Sequence, residues 1–204
     1  MHLVPTGEEV INLLRDSGAL RDGHFEYPYG LFSDQYLQVP LAFRHYQHAK
    51  TLSVGLSRLV RAHQEIRAHV NELSIVTPAT GGLPVAFGVC EALSAKQVYW
   101  AERENEDEPL RFRQFLELVP GEKVLLVDDI LRTGTKLREL KGLVESQGGE
   151  VVGLAVIVYQ PTPATPDFSP LPFFYLAKLE AMYFADAESF ARKYPHQPVT
   201  KIWI

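Results

Sequence analysis

The chain has 204 residues, 46% hydrophobic and 22% charged, with a formal net charge of −5. That length fills one good core with a small appendage, and the acidic balance argues against broad electrostatic binding to nucleic acid. The one cysteine, Cys90, excludes an internal disulfide framework and a cysteine-rich zinc site; with no apolar run near the roughly 18 residues of a membrane span and no basic-then-apolar signal pattern, the expected location is the cytoplasm.

Thr6 to Glu9 form a capping box, with Thr6 as N-cap and Glu9 reaching back. Val10, Ile11, Leu13 and Leu14 mark one face of a short helix that Gly18 ends. Residues 21–41 are aromatic-rich, and Pro28 and Gly30 predict short strands or turns there, not helix. His24 reads as structural in that segment. From 44 to 64, Ala49, Leu52, Leu56, Leu59 and Val60 keep helical spacing. His45 and His48 lie three apart on that helix, but no carboxylate or cysteine completes a metal set, so a solvated face is expected. Leu73–Val76 predict a strand, 77–82 a loop, and the following residues a helix to Leu93 that carries Cys90 as a core residue. Val98–Ala101 predict another strand. Residues 102–109 are strongly acidic and expected to be solvated, Arg111–Leu118 predict a strand, and Pro120-Gly121 a turn.

Val124–Val127 are four apolar residues that read as a short buried strand. Two adjacent carboxylates follow, Asp128 and Asp129, then a small polar turn around Gly134. Leu137, Leu140, Leu143 and Val144 give the next helix its apolar face, and Gly148-Gly149 stop it. The apolar run Val151–Tyr159 predicts a central strand. Residues 160–172 carry five prolines and predict a surface connection; 171–179 alternate weakly, and a short helix is expected near Ala187–Arg192. Strand–helix alternation from 73 to 159 predicts an α/β fold with a mostly parallel sheet covered on both faces. The expected organisation is one domain: a helix and hood at 1–42, the α/β core at 43–160 and a C-terminal extension at 161–204. Ligands of such sheets bind at the carboxyl ends of strands, so Asp128, the 77–82 loop and the 102–109 loop are expected to converge on one site.

An apolar strand ending in paired carboxylates and a Thr-Gly-Thr turn is poorly explained by packing alone. It suits a sugar phosphate: carboxylates accept hydrogen bonds from ribose hydroxyls, and N–H groups at a helix start cradle phosphate. Apolar-Asp-Asp-x-x-x-Thr-Gly resembles the phosphoribosyl-diphosphate signature of type I phosphoribosyltransferases, closest to the orotate enzymes. Ser17-Gly-Ala-Leu20, Gly23-His-Phe25 and Gly30-x-x-Ser-Asp-x-Tyr36 resemble their N-terminal substrate segment, and Pro78–Gly82 their diphosphate loop. Ala101-Glu-Arg103, Pro120–Val124, Gly148–Val156 and Pro172-Phe-Phe174 also fit. The resemblance implies the type I phosphoribosyltransferase fold with a small N-terminal hood. It also implies transfer of phosphoribosyl from phosphoribosyl diphosphate to orotate with Mg²⁺, in a homodimer with no nucleic-acid or membrane partner. Asp128 and Asp129 would hold the ribose hydroxyls and stabilise an oxocarbenium-like transition state. Arg132, Thr133, Gly134, Thr135 and Lys136 would bind the 5′-phosphate. Thr80, Gly81 and Gly82 would let backbone N–H groups approach the diphosphate, and Arg103 would contact it. Tyr29, Phe32 and Tyr36 would meet the base. Mg²⁺ would be held chiefly by substrate oxygens and water, with no dedicated protein metal site.

The chain departs from that family at two places. Its catalytic loop usually supplies lysine, yet here it reads Glu104-Asn-Glu-Asp-Glu108; clustered carboxylates beside a departing diphosphate raise the barrier. Arg111 and Arg113 are candidates to take over. In the base segment, Tyr29 and Phe32 stand where polar residues are common. A second expectation is therefore a phosphoribosyltransferase for another base. A third is a catalytically idle relative that binds phosphoribosyl diphosphate or a nucleotide. The aromatics of 25–36 can equally stack a base or form a small secondary core.

Overall fold

The computed structural model describes residues 4–105 and 107–202, apart from the side chain of Tyr29. Helix α1 (Gly7–Asp16) opens on the capping box: Thr6 N–H donates to Glu9 Oε2 at 2.7 Å and Glu9 N–H to Thr6 Oγ1 at 3.2 Å. Gly18 then turns the chain at φ +72°, a conformation glycine adopts without a Cβ penalty. Strands β1 (Leu20–Glu26) and β2 (Phe32–Leu37) pair antiparallel about a 3-10 turn at Pro28–Gly30. Helices α2 (Pro40–Phe43), α3 (Tyr46–Ala62) and α4 (Gln64–Ala68) lead into the core.

The core comprises β3 (Ser74–Pro78), α5 (Gly82–Leu93), β4 (Gln97–Glu102), β5 (Arg111–Phe112), β6 (Lys123–Leu131), α6 (Thr135–Ser146), β7 (Glu150–Tyr159) and β8 (Phe173–Lys178). The sheet order is β5-β4-β3-β6-β7-β8, and only β5 runs antiparallel to its neighbour. Side chains alternate along β6 and β7. Leu125, Val127, Ala155 and Ile157 pack toward the face covered by α1, α3 and α5, and Val124, Leu126, Leu154 and Val156 toward the face covered by α6. Burial on both faces is why these strands read as unbroken apolar runs.

Two predicted elements differ. The strand foreseen at 111–118 is only two residues long. The chain turns at 113–116, where Leu116 N–H donates to Arg113 O at 3.0 Å, and this brings Leu116 and Leu118 into the apolar cluster beneath α6. Burial of the two leucines outweighs further edge pairing. Strand β6 is longer than predicted: Asp128 pairs with Val156 and Leu131 with Tyr159, so the carboxylates lie within the strand and not after it.

After β8 come β9 (Tyr183–Phe184), α7 (Ala187–Lys193) and β10 (Thr200–Lys201). They complete a second sheet, β10-β1-β2-β9, with the N-terminal strands. Phe190 of α7 is 2% exposed and packs on Phe32, Phe184 and His24, with ring centroids at 5.2, 5.3 and 5.5 Å. The hood is thus built from both ends of the chain. Among the described residues no helix is long and apolar enough to cross a membrane.

Candidate functional site

The parallel strands β3 and β6 deliver Pro78 and the Asp128-Asp129 pair to the same end of the sheet, the carboxyl end. Asp128 is 7% exposed. Its Oδ1 accepts the Asp129 N–H at 2.9 Å, and Asp129 Oδ1 accepts the Ile130 N–H at 2.9 Å. Burial, and then the neighbouring Asp129 charge, push the Asp128 carboxyl well above its ordinary pKa. Burial also raises Asp129, against the opposing influence of Asp128, Arg132 and Lys136. Two carboxyls this close, Asp128 buried and Asp129 half-buried, favour holding a proton between them.

The 79–81 turn, with a cis peptide from Ala79 to Thr80, lies against the pair. A Cβ on Gly81 would stand 3.0 Å from Asp129 Oδ2, and one on Gly82 would stand 2.9 Å from Asp128 Oδ1 and collide with Thr77 Oγ1. These glycines therefore admit the carboxylates as well as opening the turn.

Beyond β6 the chain turns into α6 at Gly134, φ +70°. The first N–H groups of such a helix have no intrahelical acceptor and face the cleft with a partial positive charge. Thr133 Oγ1 and Thr135 Oγ1 are 3.2 Å apart at this turn, and the Lys136 side chain is exposed at its rim. The proline-rich connection braces the turn from outside. Thr165 Oγ1 donates to the Arg132 carbonyl, and Pro166 Cδ would be 2.6 Å from a Cβ at position 134. The resulting cleft of 340 Å³ is bounded by Leu37, Gln38 and Pro40 of the hood side, by 78–81, and by 128–137. An arrangement of this kind can accept hydrogen bonds at the carboxylates and donate them to an anion at the helix start.

Residues 55–171 match the family described as the phosphoribosyl transferase domain. The orotate phosphoribosyltransferase of Desulforamulus reducens is 36% identical over 151 residues, 74% of each chain. This chain belongs to the phosphoribosyltransferase family. The orotate phosphoribosyltransferase structure from Aeropyrum pernix superposes with a TM-score of 0.65 at 20% identity, covering 91% of this chain and 97% of that one. The Leishmania donovani UMP synthase structure superposes with a TM-score of 0.66 at 20% identity, and this chain spans 37% of its length. These two likenesses speak for the fold, a type I phosphoribosyltransferase core with a small hood.

The cleft of this phosphoribosyltransferase brings together Asp128, Asp129, Gly81, Thr133, Gly134, Thr135 and Lys136. Gly82 sits buried beneath them, and Thr80 is exposed at the turn. Other residues singled out from sequence point away from the cleft or lie outside its lining. Arg132 borders the cleft, but its guanidinium turns from the Thr133–Thr135 turn to the hood: Nε donates to Gln160 Oε1 at 2.7 Å and Nη2 to Leu37 O at 3.1 Å. Arg103 does not border the cleft; it pairs with Glu139 of α6 at 2.6 Å. The 102–109 loop was expected to converge on the site, yet none of its described residues borders the cleft. Arg111 and Arg113 are paired with Glu108 and Glu102, so the segment neutralises its own arginines.

Phe32, placed at the base from sequence, stacks on Phe190 and is 8% exposed, a core residue of the hood. Tyr36 lies against Phe25 and Tyr27, and its hydroxyl bonds Gln38. Neither borders the cleft; the apolar face of β2 turns toward α7, a contact with the far end of the chain that local pattern does not encode. The Tyr29 side chain lies outside the described residues. His24 packs between Phe190 and Tyr194 in a structural place. The His45 and His48 rings are 5.1 Å apart, and no set of three metal-ligating side chains is found among the described residues.

Sequence reasoning missed Gln160 and Tyr183, and took Tyr27 only as one of the aromatics of 25–36. Gln160 is 1% exposed and also accepts from Tyr183 Oη at 2.9 Å. Its signal was present: a polar residue directly ends the longest apolar run of the chain.

Proposed function

We propose that this chain is an orotate phosphoribosyltransferase of pyrimidine nucleotide synthesis, converting orotate and phosphoribosyl diphosphate to orotidine monophosphate and diphosphate. The observation that carries this reading is the Asp128-Asp129 pair, Asp128 buried, facing a glycine turn and a helix start across one cleft. The 36% identity to the Desulforamulus reducens orotate enzyme supports the choice of reaction.

In this reading the 5′-phosphate accepts hydrogen bonds from the N–H groups of 133–136 and the hydroxyls of Thr133 and Thr135, with Lys136 adding charge. The ribose hydroxyls donate to Asp128 and Asp129. As the bond from the sugar to diphosphate breaks, positive charge spreads over the ring, and two pre-placed carboxylates stabilise it more than they stabilise the neutral sugar. Gly81 and Thr80 offer backbone N–H groups to the diphosphate. Mg²⁺ supplies charge that offsets the departing diphosphate when bound; the oxygen-only character of Asp128 and Asp129 fits that hard cation, with substrate oxygens and water as its other ligands. The working form proposed is a homodimer, checked by light scattering.

Gly134→Ala should weaken binding of phosphoribosyl diphosphate roughly 10-fold, since a Cβ adds left-handed strain of about 1–2 kcal/mol and meets Pro166. Calorimetric titration checks this; unchanged affinity would place the phosphate elsewhere. The reaction itself is tested by diphosphate release with Mg²⁺, phosphoribosyl diphosphate and, separately, orotate, uracil and purine bases. Turnover with orotate alone is the expected result. The ion-paired arginines of 103–113 favour one second reading, a binder without turnover. Its signature is a melting temperature raised by phosphoribosyl diphosphate with no diphosphate released.

A further inference from the structure

Arg132 borders the hood end of the cleft with a positive charge that no carboxylate of the described residues pairs at ion-pair distance. A guanidinium carries five N–H donors. Two are spent, one on Gln160 Oε1 at 2.7 Å and one on the Leu37 carbonyl at 3.1 Å. Both of these acceptors are neutral, so they orient the fork without cancelling its charge. Gln160 is itself held by Tyr183 Oη at 2.9 Å, and the guanidinium carbon sits 6.0 Å from the centre of the Tyr27 ring. A half-buried cation held by Leu37 of β2 and by Gln160, the residue after β7, is pre-organised for an anion. Lys136 is exposed beside the Thr133–Thr135 turn; its charge acts on Asp128 and Asp129, and that of Arg132 acts on Asp129 as well. The cleft therefore carries two cations, of which Arg132 is the one that its hydrogen bonds turn toward the hood.

We propose that Arg132 is the specificity-determining residue for the base: its guanidinium, anchored by Gln160 and Leu37 O, takes a carboxylate carried on a planar ring. This rests on the orotate reading above and moves Arg132 from the phosphate to the base. The Tyr27 ring lies beside the guanidinium, and Tyr183 stands behind Gln160, so a planar anionic ring at the fork would meet aromatic surface. A base without a carboxylate leaves the cation unpaired and gains none of this.

The test compares two nucleotides that differ only in the carboxylate, orotidine 5′-monophosphate and uridine 5′-monophosphate, by calorimetric titration of the full chain. Wild type should bind the orotidine form roughly 10- to 100-fold more tightly, the range of a charge-assisted hydrogen bond. Arg132→Gln should lose that preference and bind uridine monophosphate within about 3-fold of wild type, a split that a merely structural strut does not produce. No preference in wild type, a preference retained in Arg132→Gln, or equal loss of both nucleotides overturns the assignment. If Arg132→Gln does not fold, Arg132→Lys decides: an ammonium has no fork, so the preference should fall several-fold, and a preference equal to wild type overturns the proposal. Absence of turnover with the preference intact defeats the proposed reaction and leaves this assignment standing; turnover without the preference does the reverse.

Discussion

Asn at both 128 and 129 is expected to abolish phosphoribosyl transfer, with each single change costing roughly 100-fold or more, the scale for removing one preorganised electrostatic group. The fold should survive, because the substitutions are near-isosteric. The pH dependence makes the expectation sharper. Asp128 has its pKa raised in the folded protein by burial and by Asp129. A carboxyl raised on folding binds its proton more tightly in the native state, so it costs stability as pH rises above its ordinary value. Asn carries no such cost. Asp128→Asn should therefore melt at or above the wild-type temperature, with a larger gain at pH 8 than at pH 5. Unchanged turnover in the double variant would remove these residues from the site. A variant that melts lower at pH 8 than wild type would contradict the account of a buried, proton-holding pair. Such a pair also makes ligand binding proton-linked: ribose hydroxyls favour the charged form, so affinity for phosphoribosyl diphosphate should rise with pH across the raised range.

Glu122→Ala should give the largest loss of stability, about 3 kcal/mol, the cost of leaving several buried polar groups without their acceptor. Glu122 is 7% exposed just before β6, at the far end of the sheet from the cleft. It accepts from Gln97 Nε2 at 2.7 Å, from the Val119 N–H at 2.9 Å and from Tyr99 Oη at 3.3 Å, as well as from Ser74 Oγ, with Lys96 Nζ at 3.4 Å. Burial alone would push this carboxyl up; the hydrogen bonds from Ser74, Val119 and Gln97 and the Lys96 charge outweigh it and hold the pKa below its ordinary value. The sign is opposite to that of Asp128. Stability from Glu122 is fully present above the ordinary carboxylate pKa and is lost as pH falls through the lowered folded value. The gap in melting temperature between wild type and Glu122→Ala should therefore narrow in acid. A gap that widens on acidification would show that the carboxylate is not the stabilising form. Turnover per folded molecule should stay within a few-fold of wild type, because no atom of this network reaches the cleft.

The amino-acid sequence by itself determined the elements whose signals are local. The capping box at Thr6–Glu9, the glycine stops at 18 and 148, and the alternating burial hidden in Val124–Val127 and Val151–Tyr159 all arise from interactions a few residues apart or from the period of one strand. The run from Asp128 to Lys136 was legible as a candidate site for the same reason: one strand end, one turn and one helix start place all its groups. Side-chain direction was decided by tertiary structure. Arg132 lies in that run, but Gln160 and the Leu37 carbonyl, 28 and 95 residues away, turn it to the hood. Arg103 is taken up by Glu139, 36 residues on. Phe32 is drawn into a core with Phe190, because β2 and α7 meet only after the chain has closed around the sheet. A long flexible side chain with several acceptors in reach settles on the one its neighbours present, and neighbours brought together from opposite ends of the chain leave no mark in local pattern.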